Sequence, residues 1–92
     1  MKARLISYDL SKVNQVGKVL VKRKLFGYTE YSNNAQYTYE RKGILSDLRY
    51  LKLARAVIIV RNQDSPKIEK VIKSVKGKYQ IFPIEVKSSL LH

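Results

Sequence analysis

The stretch Arg55 to Arg61, RAVIIVR, constrains this chain most. Five consecutive apolar residues, four of them β-branched, stand between two arginines. A strand without polar alternation buries both of its faces, so it belongs in the interior of a sheet with something packed on each side. The chain must therefore supply inner neighbours and cover. Lys2 to Asp9, KARLISYD, is the first candidate neighbour. Ala3, Leu5 and Ser7 alternate there with Arg4, Ile6 and Tyr8, and neither face is cleanly polar. Tyr79 to Lys87 is a further strand, with Phe82, Ile84 and Val86 on one face. Pro83 cannot donate to a ladder, which sends that strand to a sheet edge.

Two amphipathic segments can provide cover. Ser11 is a candidate N-cap for a helix from Lys12 to about Leu25. Val13, Val16, Gly17 and Leu20 would form its buried stripe. A helical Gly17 costs ~1 kcal/mol against alanine, which suggests close packing. Ser65 is the candidate N-cap of a second helix with Pro66 at its first position; this helix buries Ile68, Val71, Ile72 and Val75 and ends with Gly77 as its C′ residue. Between them, Ser46 could cap a short helix through Leu51 that buries Leu48 and Leu51. The order is β-α-β-β-α-β. It predicts an α+β chain, a split-βαβ ferredoxin-like sandwich with sheet order 4-1-3-2 and an extended Tyr-rich β-hairpin. With 92 residues, a single domain over 1–92 is expected.

The hairpin is Phe26 to Lys42, FGYTEYSNNAQYTYERK, which holds four of the seven tyrosines. Asn33-Asn34 suits a tight turn, since asparagine tolerates positive φ. That turn would pair Ser32 with Ala35, Glu30 with Tyr37 and Tyr28 with Tyr39. One ribbon face would then display Phe26, Tyr28, Glu30, Tyr37, Tyr39 and Arg41. Lys22, Arg23 and Lys24 precede the ribbon, and Arg41 and Lys42 close it. Aromatic rings beside Lys and Arg suit base stacking and phosphate neutralisation. Two plainer roles compete: cross-strand tyrosines stabilise a hairpin, and cations in a last helical turn suit the helix dipole.

Charge favours the binding role. Nineteen Lys and Arg against seven Asp and Glu give a net +12, a field that attracts polyanions. The basic residues run the length of the chain, and no stretch resembles an interfacial helix or a bilayer span, so nucleic acid is preferred over membrane. Surface lysine kept only for solubility is the competing account. No cysteine is present, and no apolar run follows Lys2 and Arg4, so an intracellular, cytoplasmic protein without a signal peptide is expected. Catalytic groups are sparse. His92 is the only histidine, the glycines are scattered, and no carboxylates have spacing that compels a metal site. Asp9 stands out only by its place at the end of an inner strand, where a cap or turn role is ordinary.

Leu5-Ile6-Ser7-Tyr8-Asp9-Leu10-Ser11, with Gly27 and Tyr31-Ser32 further on, resembles the start of the second family of CRISPR-associated adaptation proteins. The resemblance implies a ferredoxin-like dimer, with Asp9 holding a divalent metal at its axis. After Ser32 this chain has NNAQYTYERKG where that family has an apolar-aromatic stretch. Leu5 to Leu10 also loosely looks like the first-strand signature of the RNA-recognition motif, but RAVIIVR lacks the aromatics of its third strand. The sequence therefore favours a non-enzymatic protein binding structured RNA in preference to DNA, without a cofactor, as a component of a ribonucleoprotein such as a ribosome. Lys18, Lys22, Arg23, Lys24, Arg41 and Lys42 would contact phosphate; Tyr28, Tyr37 and Tyr39 would stack. The alternatives are a metal-dependent nuclease or DNA-holding dimer centred on Asp9, and a basic protein–protein adaptor. The two helices would cover one sheet face, so a homodimer or a ribonucleoprotein neighbour is expected on the other.

Overall fold

The computed structural model describes residues 1–32 and 36–91. Along the chain lie β1 (Lys2–Asp9), α1 (Gln15–Phe26), β2 (Tyr28–Tyr31), β3 (Thr38–Arg41), β4 (Tyr50–Ala54), β5 (Val57–Arg61), α2 (Ser65–Ser74) and β6 (Lys78–Glu85). The main sheet has four strands in the order β4-β5-β1-β6, each antiparallel to its neighbour. Among the described residues β2 and β3 pair only with each other, as a separate ribbon. Among the described residues the architecture is α+β, with two α-helices over a four-stranded antiparallel sheet.

The continuous apolar run takes the inner place its composition demands. Ile58, Ile59 and Val60 are buried in succession along β5. Ile58 and Val60 join Ile6 of β1, Val21 and Leu25 of α1, and Ile68, Val71 and Ile72 of α2 in the main core. Ile59 points the other way and packs with Ala3 and Leu91. That second face is covered in part by the C-terminal turn. Arg49 fixes it by donating from Nε to the Leu91 carbonyl at 3.1 Å and from an NH₂ group to the Ser88 carbonyl at 2.7 Å. Phe82 remains half exposed on the uncovered part. β6 lies at the sheet edge, with Pro83 opposite Arg4.

The segment expected to form a short helix through Leu51 departs from that reading. It forms a 3₁₀ turn at Ile44–Asp47 and then β4. Arg55 lies in the turn between β4 and β5 and not within a strand. β4 also occupies the place beside β5 that the sequence reading gives to the tyrosine ribbon. Proximity and burial explain the choice. β4 meets β5 across the short Arg55-Ala56 turn and has Tyr50 and Leu51 to part-bury, whereas nearly every ribbon residue is exposed.

Helix α1 starts later than expected. Its cap is Asn14, whose side chain accepts from the Gly17 N–H at 2.8 Å. Ser11 instead donates its N–H to Asp9 Oδ1 at 2.8 Å. Apolar residues lie around much of its circumference, and the stripe that docks is Gly17, Val21 and Leu25, while Val16 is 78% exposed. Ser65 is not the cap of α2 but its first residue, because a 3₁₀ turn that buries Asp64 runs directly into the helix and puts Asp64 at the cap position. Arg61 Nε donates to that carboxylate at 2.8 Å, and Lys67 Nζ lies 3.7 Å away. At the other end, the Gly77 N–H donates to the Ile72 carbonyl and the Lys76 N–H to that of Lys73, both at 3.0 Å, which is the Schellman pattern. Gly77 is C″ in it, and the left-handed C′ residue is Lys76, with φ 59°.

Candidate nucleic-acid interface

Local geometry sets the ribbon's register. Tyr28 pairs with Arg41, Thr29 with Glu40, Glu30 with Tyr39 and Tyr31 with Thr38. This differs by two residues from the pairing expected of an Asn33-Asn34 turn, which itself lies outside the described residues, as does the Ser32–Ala35 pair. The Ser32 N–H donates to the Tyr37 carbonyl and the Tyr37 N–H to Ser32 Oγ, both at 2.9 Å, so Ser32 and Tyr37 close the described ladder. The observed register brings Arg41 diagonally against Glu30, with Nε donating to the carboxylate at 2.7 Å. An even slip preserves facing, because side chains alternate with period two. Tyr28, Glu30, Tyr39 and Arg41 therefore share one face as the sequence implies. Phe26 does not join them; it ends α1 and packs against the core.

Two glycines join the ribbon to the body. Gly27 follows α1 with φ 80° and ψ −177°, a conformation open essentially to glycine alone. A β-carbon on Gly43, where the ribbon returns, would collide with the Gly27 nitrogen and the Leu25 carbonyl. The two ribbon ends thus meet backbone to backbone at the C-terminus of α1. There the Arg23 guanidinium lies over the Tyr28 ring, 4.5 Å from its centroid. Arg41 lies 5.9 Å from the Tyr39 ring centre. Tyr37, Tyr39 and Tyr31 are 64%, 51% and 66% exposed, so the rings available for stacking lie toward the ribbon tip.

Beside the ribbon's root is a cleft of about 590 Å³. The end of β1 supplies Tyr8, Asp9 and Leu10, and α1 supplies Lys18, Val21, Lys22 and Phe26. Lys52 of β4 and Arg55-Ala56 of the β4–β5 turn close the third side. Lys18, Lys22 and Phe26 recur every fourth residue and so occupy one flank of α1. The β4–β5 ladder shifts register between Lys52 and Ala54, leaving Leu53 as the extra residue. Lys52 stays opposite Ile58 on the helix side of the sheet and reaches over the Phe26 ring at 4.7 Å. Four cations from three elements thus converge on one cavity, and none of them is ion-paired with a carboxylate of the described residues.

The remaining lining groups fit this environment. Burial pushes the Tyr8 phenol above its ordinary pKa, so at neutral pH it is a protonated donor. The Asp9 carboxyl is held below its ordinary value, first by the Ser11 N–H and more weakly by Lys78 and Lys12. Asp9 also borders a second concavity of about 620 Å³ at the β1–β6 end, where Lys78 is the one basic residue. Among the described residues no group of three His, Cys, Asp or Glu side chains could hold a metal ion. His92 lies outside them. No helix of the described residues is long and apolar enough to cross a membrane.

Of the residues singled out in the sequence, the cleft gathers Lys18, Lys22 and Asp9. The ribbon and its root gather Arg23, Tyr28, Tyr37, Tyr39 and Arg41. Lys24 is exposed two residues past Lys22, about 200° round the helix and away from the cleft. Lys42 is exposed beside Gly43. Lys52 and Arg55 were missed, because the first sat in a segment of uncertain type and the second inside an expected strand. Their one sequence signal is that both are basic residues just ahead of the apolar run Ala56 to Val60. Comparison with protein-family models, curated proteins and solved structures finds no match to this chain.

Proposed function

We propose that this chain is a non-enzymatic nucleic-acid-binding protein, with structured RNA containing unpaired nucleotides as its preferred ligand. It would act as a component of a larger ribonucleoprotein such as a ribosome. The observation that carries this reading is the convergence of Lys18, Lys22, Lys52 and Arg55 on one cleft. Its neighbour is the tyrosine ribbon, rooted where Arg23 lies on Tyr28. Unpaired cations supply phosphate affinity, and exposed tyrosines supply stacking platforms for bases not already stacked in a duplex. Arg41 is tied to Glu30, so its first role in this reading is to hold the ribbon face in shape.

We also propose that the fold is a split-βαβ ferredoxin-like sandwich, with the ribbon inserted between the first helix and the second sheet strand. Taking Tyr50–Ala54 as that second strand, the sheet runs 2-3-1-4, which is 4-1-3-2 seen from the other side. Salt titration tests the functional reading. With about five phosphate contacts, affinity for a stem-loop RNA should fall on the order of a hundredfold between 50 and 200 mM salt. A matched DNA duplex should bind more weakly. A flat titration, or no binding at low salt, removes the reading.

A further inference from the structure

Resting on that reading, we infer that the cleft between α1 and the β4–β5 turn holds the phosphomonoester end of a nucleic-acid strand, with the terminal nucleoside on its apolar floor. Four cations surround the cavity, against a single carboxylate, Asp9, already engaged by the Ser11 N–H. An internal phosphodiester brings one negative charge, whereas a terminal phosphate brings roughly −1.5 to −2 near pH 7. The excess of cations suits the terminal group. A volume of about 590 Å³ falls in the range of small-ligand sites, ~300–1,000 Å³, and can take one nucleotide. The floor is apolar, from Leu10, Val21, Phe26 and Ala56.

The protonated Tyr8 hydroxyl adds a neutral donor at the cavity wall. Lys52 occupies the Phe26 ring face, which places this ammonium at the boundary between apolar floor and charged rim. The strand has a route onward. Phe26 leads through Gly27 to Tyr28 under Arg23, and from there along the ribbon face to Tyr39. One end of the ligand sits in the cleft while the following nucleotides lie along α1 and the ribbon.

The test uses the full chain and one fluorescent ribo-oligonucleotide sequence in four forms: 5′-phosphate, 3′-phosphate, hydroxyl at both ends, and circular. A phosphate at one end should tighten binding roughly tenfold or more over the hydroxyl form, as expected of charge-assisted hydrogen bonds. The circular form should match the hydroxyl form. Lys18→Gln and the double change Lys52→Gln/Arg55→Gln should each reduce the terminal-phosphate gain, with circular dichroism checking the fold. Equal affinity for phosphate and hydroxyl ends overturns the inference and leaves the nucleic-acid reading standing, provided all forms bind with a steep salt slope. Absence of binding by every form removes both. Adenosine monophosphate binding as tightly as the phosphorylated oligomer would assign the cavity to a free nucleotide and overturn the strand-end inference.

Discussion

Replacing Lys52 and Arg55 together by glutamine tests whether the cleft acts through its charge. Lys18, Lys22, Lys52 and Arg55 line the cavity without carboxylate partners among the described residues. On an oligonucleotide with hydroxyl ends the cleft has only internal phosphates to bind, and if each cation neutralises one of them the four together contribute a slope of about −2.8 in log affinity against log salt. That is about a fiftyfold loss between 50 and 200 mM. Removing two halves the contribution to about −1.4, or about sevenfold over the same range. With the counterion contribution taken as vanishing near 1 M salt, the double variant should bind about seventyfold more weakly than the parent at 50 mM, and about tenfold more weakly at 200 mM. The gap between the two proteins must therefore narrow as salt rises.

The fold should survive the change. Both side chains are exposed, and the substitution removes the cation–π interaction of Lys52 with Phe26, worth about 0.5–1 kcal/mol at an exposed site. Small domains have ~5–15 kcal/mol of stability, so this is tolerable. Fluorescence anisotropy with an unphosphorylated oligonucleotide at four or five salt concentrations measures the slope. Lys67→Gln is the control: it removes one positive charge to the double variant's two, beside Asp64 at the far end of β5 from Arg55. An unchanged slope in the double variant, or an equal fall per charge removed with Lys67→Gln, would refute the assignment of the cleft and leave only the diffuse field of the +12 chain.

Tyr39→Ala should weaken binding to unpaired nucleotides by the ~1–3 kcal/mol that stacking one base supplies while leaving the salt slope nearly unchanged, and Tyr39→Phe should bind almost as the parent does; titration of all three proteins checks this. Glu30→Gln should release Arg41 from its 2.7 Å ion pair and make the salt slope steeper by up to one phosphate's worth, about 0.7, whereas an unaltered slope would mean that Arg41 never reaches phosphate. Lys76→Gly should stabilise the chain, because φ 59° costs a non-glycine residue ~1–2 kcal/mol and glycine's greater freedom when unfolded returns ~0.5–1 of it. A net gain near ~0.5–1 kcal/mol should raise the thermal midpoint by a few degrees in a calorimetric scan.

The parts of the fold legible in the sequence are those where one residue type permits one environment. Ile58, Ile59 and Val60 could be satisfied only by cover on both sides, and Pro83 only at an edge, and each is found there. Helix boundaries were less legible because several residues could cap. Ser11 and Asn14 both suit an N-cap, and apolar residues around much of α1 offer more than one stripe, of which Gly17, Val21 and Leu25 dock while Val16 faces outward. Lys76 carries no mark of its left-handed backbone; the neighbouring Gly77 drew the assignment because glycine usually takes that position.

The candidate site was legible as two fragments, and what joins them was not. The ribbon's composition points to an aromatic, basic face under either register, since a slip of two residues changes partners without changing sides. The cleft is a tertiary object. Lys18 and Lys22 belong to one helix flank, but Lys52 comes from a strand that sequence periodicity could not separate from a short helix. Arg55 comes from a turn that reads as the first residue of an apolar strand. A run of five apolar residues fixes what must be buried but not where the arginine before it emerges. That depends on where β4 turns, and the turn follows from the extra residue at Leu53 and the pairing of Ala54 with Val57. Moving the turn by one residue would carry Arg55 across the sheet plane and break the ring of four cations. The register of this one hairpin is therefore the structural fact on which the cleft's chemistry depends.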